Sequence, residues 1–178
     1  MSRTIRVDTS ALAGIAQRLK GQYEAAIEPA AQAGAQVILG RVQRNVAALG
    51  KKTGKLYESL YKVLSQDNSG QYRATYHVSW NYKKAPHGFL VENGHWIRYA
   101  QYRDEQGRFR LRTNPDFKGR PYPTRRDSQQ YKNLYWVPLD SPIWVSGKKF
   151  VASAVEEQSR AIEAARSALV QTINGAPR

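Results

Sequence analysis

The chain has no cysteine at all, and only three histidines and one methionine among its 178 residues. The first absence excludes disulfide staples, thiolate metal sites and cysteine nucleophiles, so stability has to come from packing or from contacts between subunits. Acid is scarce as well: fourteen Asp and Glu face twenty-eight Lys and Arg, a formal net charge of +14. Such an excess repels further copies of the chain and attracts nucleic acid or acidic protein surfaces, without choosing between them. Also missing is any apolar run near the roughly 20 residues that a membrane span requires, and the opening MSRTIRVDTSALAG lacks the apolar stretch of a secretory signal. The expectation is a chain with no membrane partner that stays in the cytoplasm or in a particle built there.

What is present argues for a folded chain. Hydrophobic residues make up 41% of it, with eleven tyrosines and four tryptophans. At this length one domain spanning 1–178 is expected, burying roughly 70% of the surface of its unfolded chain. Asp8, Thr9 and Ser10 are helix-capping types ahead of Leu12, Ile15 and Leu19, which predicts a short amphipathic helix ending at Gly21. A longer helix follows on the stripe Ile27, Ala31, Ala35, Ile38, Val42, Val46 and Leu49, beginning or bending near Pro29 and stopping at Gly50. KKTGKLYESLYKVLS reads either as a further short helix or as a turn at Thr53 and Gly54 running into a strand at Leu60–Leu64. QYRATYHVSWNY alternates Tyr72, Ala74, Tyr76, Val78 and Trp80 against polar neighbours, the period of a half-buried strand.

From Ile97 to Asn133 the character changes, with ten Lys or Arg against four acids and with aromatics interleaved. WIRYAQYRDEQGRFRLRT predicts a β-hairpin around DEQG, followed by an irregular arm, NPDFKGRPYPTRRDSQQYKN. Order returns after Ser146 and Gly147, where Val151, Val155, Gln158, Ile162, Ala165, Leu169 and Ile173 form one helical face, stopped by Gly175 and Pro177.

Chemistry is sparse. KKAPHGFLVENGHW sets His87, Glu92 and His95 within nine positions, and a carboxylate with two imidazoles can hold a divalent metal. The spacing matches no established ligand motif and no second carboxylate stands nearby, so the expectation is no metal, no cofactor and a turn that shapes a surface. No nucleophile elbow, phosphate-cradling glycine loop or HExxH is present, which points away from an enzyme with catalytic residues. Arginines alternating with aromatics can pair phosphates and stack bases, but the same residue types favour protein interfaces.

The order of these elements resembles the minor tail-component, or tail-completion, proteins of long-tailed bacteriophages. Thr53, Gly54, Leu56 and Ser59 match a "TG-L--S" motif after the long helix; Leu90, Val91, Glu92 and Gly94 match an apolar pair before "-E-G"; Phe150 and Ala154 match a "PF---A" entry to the last helix. The chain departs from that pattern in its long basic segment from Ile97 to Trp144, in Lys149 where a proline is usual, and in Asn93 where an aromatic is common. The resemblance implies a structural virion protein of the neck, assembled in the host cytoplasm as a ring, with a hexamer as the expected case. Its neighbours would be head-connector and tail-tube or tail-terminator proteins, with DNA in the channel. The alternative is a basic nucleic-acid-binding protein.

On this reading the fold is α+β, a small, mostly antiparallel sheet packed by two long helices, with a core over 8–96 and 145–174 and a projecting basic hairpin and arm over 97–144. Arg98, Arg103, Arg108, Arg110, Arg112, Lys118, Arg120, Arg125 and Arg126 are the candidate interface to partners or DNA. Gly54, Gly88 and Gly94 are expected to permit turns, Glu92 to cap backbone N–H groups or pair with a basic neighbour, and Phe89, Leu90, Val91 and Phe150 to anchor in the core.

Overall fold

A computed structural model describes residues 10–50 and 53–175, with the backbone alone for residues 10–16. The fold is α+β, in two compact units: Met1–Glu92 with Lys149–Arg178, and Asn93–Lys148.

In the first unit, helix α1 runs unbroken over Ser10–Ala48 and carries Pro29 inside it. The two helices expected on either side of Gly21 are therefore one. A glycine and a proline cost about 1 and 3 kcal/mol in a helix interior, and α1 offsets this by burying Ala26, Ala30, Leu39, Val42 and Val46. The proposed caps Asp8 and Thr9, the side chains of Leu12 and Ile15, and Pro177 lie outside the described residues. Antiparallel to α1 runs the C-terminal segment, a 3₁₀ turn at Ala152–Glu157 continuing into α5 at Gln158–Gly175. The direction is fixed by contacts that descend along one element as they ascend the other. Asn45 Nδ2 donates to the Phe150 carbonyl at 2.9 Å and to Ser153 Oγ at 3.0 Å, Arg41 reaches Glu156 at 2.8 Å, and Gly34 lies against Ala161 and Ala165.

Both readings of KKTGKLYESLYKVLS hold in part. Gly54, at φ +72°, turns the chain into a single helical turn, α2 at Lys55–Glu58, and β1 follows at Leu60–Leu64. β1 pairs antiparallel with β2, Tyr76–Trp80, in register Leu60↔Trp80 to Leu64↔Tyr76. The strand expected from Tyr72 starts later because the preceding turn is extended by side chains: Ser69 Oγ accepts from the Thr75 N–H at 2.9 Å, and Thr75 Oγ1 donates to the Asn68 carbonyl at 2.8 Å. Tyr72 is left exposed.

The core joins Val42, Val46, Leu56, Ala85, Phe150 and Ala154, with Val78, Trp80 and Val91 packed on it. Phe150 is 1% exposed and sits 5.4 Å from the Trp80 ring. Phe89 and Leu90 are not core anchors; they are 54% and 44% exposed. They fall on α3, Gly88–Asn93, whose inward residues at helical spacing are Gly88, Val91 and Glu92, which turns 89 and 90 outward. Gly88 makes no left-handed turn either; its contribution is close approach, since a Cβ there would overlap the Trp80 indole, 2.8 Å from Cδ1.

The second unit contains β3, Gly94–Tyr99, paired antiparallel with β6, Pro138–Ser146, in register Gly94↔Ser146 and Trp96↔Trp144, with a shift between Ile97 and Tyr99. The expected hairpin is β4, Gln101–Arg103, with β5, Phe109–Leu111. Among the described residues the strands thus form three two-stranded sheets instead of one. The arm is irregular over residues 118–128, as expected, but it is flanked by a 3₁₀ turn at Pro115–Phe117 and by α4 at Gln129–Tyr135, and it folds around buried Tyr135. Its ring meets Phe117 at 5.9 Å, Tyr122 at 5.9 Å, Tyr131 at 6.1 Å and Trp136 at 4.7 Å. Among the described residues no helix is long and apolar enough to cross a membrane.

Candidate functional site

All nine basic candidates, Arg98, Arg103, Arg108, Arg110, Arg112, Lys118, Arg120, Arg125 and Arg126, are exposed on the second unit, but the fold assigns them different work. Arg108 and Arg110 are committed to the hairpin turn, their Nε atoms 2.9 and 3.0 Å from Asp104 Oδ2. Asp104 Oδ1 also accepts the N–H groups of Gln106 at 3.1 Å and Arg108 at 2.8 Å. Loss of water pushes the Asp104 carboxyl upward, but the Arg108 N–H and the two guanidiniums outweigh that and hold it below its ordinary range. Arg103 lies 4.8 Å over the Phe109 ring and Arg120 4.9 Å over Phe117, cation–π contacts that fix two more side chains.

Arg125 and Arg126 sit at the tip of a turn closed by Asp127, whose Oδ2 accepts from the Thr124 N–H at 2.5 Å and from Thr124 Oγ1 at 2.8 Å. These bonds lower the Asp127 carboxyl and turn it away from pairing with its arginine neighbours. Among the described residues Arg98, Arg112, Lys118, Arg125 and Arg126 have no carboxylate partner. They are the cations available to a ligand.

Arg98 lines a cleft of about 510 Å³ with Trp96, Tyr99, Gln129, Asn133 and Pro142. Tyr99 OH donates to Asn133 Oδ1 at 2.9 Å, and Gln129 Nε2 donates to the same Oδ1 at 2.9 Å and to Tyr99 OH at 2.6 Å. Trp96 and Trp144 face each other across the β3–β6 pair, ring centroids 5.2 Å apart and tilted by 57°. This site was hidden in the sequence because β6 carries two prolines and little alternation, so nothing announced the strand that faces Trp96.

In the first unit, Glu92 is buried and its carboxylate accepts the N–H of Val151 on Oε2 and of Ala152 on Oε1, both at 3.0 Å. It serves as a cap at the entry to the last helix, the first of the two roles expected for it. His87, Glu92 and His95 do not form a metal cage: among the described residues there is no group of three or more His, Cys, Asp or Glu able to hold an ion. Gly94 turns at φ +84° with the Val145 carbonyl 2.5 Å from where a Cβ would stand.

Glu157 was not singled out in the sequence. It is buried and faces Arg160 at 3.1 Å, Arg44 at 3.6 Å and Arg41 at 3.9 Å. Beside it a second cleft, about 630 Å³, runs between α1, β2 and the C-terminal segment, lined by Ala31, Gly34, Ile38, Val78, Val155 and Ile162. Comparison with protein-family models, with curated proteins and with solved structures finds no match.

Proposed function

We propose that the chain is a structural virion protein that completes the tail of a long-tailed phage and joins it to the head connector as one copy in a homo-oligomeric ring. The observation that carries the assembly role is the apolar surface the first unit leaves uncovered. Val155 and Ile162 are 65% and 57% exposed beside the α1–α5 cleft, and Tyr61 and Val63 are exposed on β1. Monomers rarely leave apolar side chains grouped around an open apolar cleft, because the grouped area favours association. Among the described residues β1 and β2 pair with no further strand, so each offers an outer edge able to add one. The tail-completion assignment adds the order of motifs around Gly54, Glu92 and Phe150.

Native mass spectrometry of the purified full-length chain tests this reading, with a closed ring of fixed copy number as the expected result. In particle assembly, replacing Arg112, Arg125 and Arg126 with glutamine should leave a folded protein that no longer joins heads to tails. Arg108 and Arg110 are unsuitable for this purpose because they hold the hairpin turn.

The unpaired cations of the second unit favour one further reading, a nucleic-acid-binding protein. A chain that stays monomeric at every concentration and binds free duplex with a steep loss as salt rises would favour it over the ring.

A further inference from the structure

We infer that the cleft between Trp96, Arg98 and α4 is a nucleotide subsite, taking one unstacked base with its phosphate from a single-stranded nucleic acid. The inference rests on the second unit alone and stands apart from the ring assignment.

Three features converge there. The first is the platform. Trp96 and Trp144 are tilted by 57°, so the two rings are not stacked face to face, and both remain about half exposed. An indole held open on a paired strand, with cross-strand neighbours fixing its position, presents a π surface on which any base can stack. The second is charge. Arg98 follows Trp96 by two residues on β3, and both side chains are exposed. It lines the same cleft and has no carboxylate partner among the described residues.

The third is the polar wall opposite. In the Tyr99, Gln129 and Asn133 network, the Gln129 NH₂ and the Asn133 carbonyl oxygen are used up. That leaves Gln129 Oε1 as an acceptor and Asn133 Nδ2 as a donor, on two residues that both line the cleft. An acceptor and a donor in one cleft suit a base, whose edge carries both kinds of group.

The surrounding field favours a polyanion. Asn93–Lys148 holds eleven Lys and Arg against five Asp and Glu, and of those acids Asp104 is neutralised by Arg108 and Arg110 while Asp127 is turned onto Thr124. Duplex is a poor occupant because its base faces are covered by their neighbours in the stack, whereas a single strand can give one up at little cost. A mononucleotide offers the same base and phosphate without the flanking charges.

The test is fluorescence anisotropy of the full-length chain with a labelled short single strand, its duplex and a mononucleotide, each at several salt concentrations. The single strand should bind tightest. Trp96→Ala should weaken it by about tenfold or more, the loss expected for one stacking platform. Trp96→Phe should restore most of that, showing that a ring is needed and that the alanine variant is not simply misfolded. Arg98→Gln should lower the salt slope by about 0.7, one phosphate contact on a single strand, and the mononucleotide should quench tryptophan fluorescence in the wild type but not in Trp96→Ala. Equal affinity for duplex and single strand, indifference to Trp96→Ala, or binding of an acidic peptide with no binding of nucleic acid would each overturn the assignment.

Discussion

The carbonyl oxygen of Glu92 accepts the backbone N–H of Lys149 at 3.1 Å, so the chain leaves the first unit and returns to it through hydrogen-bonded neighbours. Everything between them, Asn93–Lys148, is the second unit, and the buried core residues Val42, Val46, Leu56, Ala85, Phe150 and Ala154 all lie outside that span. Replacing Asn93–Lys148 with a short Gly/Ser linker should therefore leave a helical protein that unfolds cooperatively. Each halving of a closed loop lowers its entropic cost by about 0.6 kcal/mol, so the shortened chain should lose little stability. Circular dichroism through a urea titration measures this; a non-cooperative, weakly helical product would show that the two units depend on each other to fold.

Glu92 also holds this junction through its side chain. Changing Glu92 to Ala strands the N–H groups of Val151 and Ala152, both at 3.0 Å in the native protein, and should cost about 3 kcal/mol, whereas Glu92→Gln retains one acceptor and should cost about half that. Lys149 next door adopts φ +47°, a left-handed conformation that a proline ring forbids and that burdens any side chain. Lys149→Gly should raise the urea midpoint, by up to about 1 kcal/mol in stability, and Lys149→Pro should abolish folding of the last helix.

Glycine positions separate backbone from packing effects. At Gly21 an added Cβ meets nothing within 4 Å among the described residues, so Gly21→Ala should stabilise α1 by about 1 kcal/mol. At Gly34 the same methyl would stand 3.0 Å from the Ala161 carbonyl and push α1 and α5 apart, reversing the sign. Gly94→Ala should be the worst of the three, because φ is +84° and the Val145 carbonyl lies 2.5 Å from the new atom. Thermal melts of the three variants give the order directly.

How far these features can be read from sequence depends on the range of the interaction. Local signals were legible: the Val42 and Val46 stripe of α1, the turn at Gly54, and the DEQG hairpin, whose Asp104 can reach Gln106 and Arg108 without leaving its own turn. The last helix was legible as a helix but not in its inward face, since Val155 and Ile162 are exposed while Ala154 and Glu157 are buried. The continuity of α1 was not legible, because Gly21 and Pro29 argue locally for a break and only the helix packed alongside overrides them. Strand β6 was missed because its partner, β3, lies some forty residues earlier and Pro138 and Pro142 disguise its period. Phe89 and Leu90 look like anchors as an apolar pair; the inward side of α3 is set by Gly88 against Trp80, a contact invisible in the run itself.

The hairpin should respond to acid. Asp104 has its carboxyl held below the ordinary 3.8, so its bonds favour the folded hairpin fully at pH values above 3.8 and are lost as pH falls through the lower value of the folded state. Amide chemical shifts of Gln106 and Arg108, whose N–H groups bond to Oδ1, should hold constant near neutrality and move together only below pH 3.8. In Asp104→Asn they should start displaced and show no such step. A step in the wild type centred above pH 3.8 would contradict the assignment of those bonds.

Self-association through the α1–α5 cleft can be separated from folding by charging its exposed rim. Val155 and Ile162 are more than half exposed, so replacing both with Asp removes little buried area and should change stability by within about 0.5 kcal/mol per site. In an assembled ring the same side chains would be covered, and two carboxylates there would have to be desolvated without partners. Sedimentation velocity should thus show the wild type associating and the double variant monomeric at equal concentration. Salt sharpens the test: with a net charge of +14 per chain, copies repel until screening falls to about 8 Å at physiological ionic strength. Apolar contacts gain from that screening, so wild-type association should strengthen as salt rises. Association that weakens with salt and is indifferent to the aspartates would place the contact on the basic unit instead.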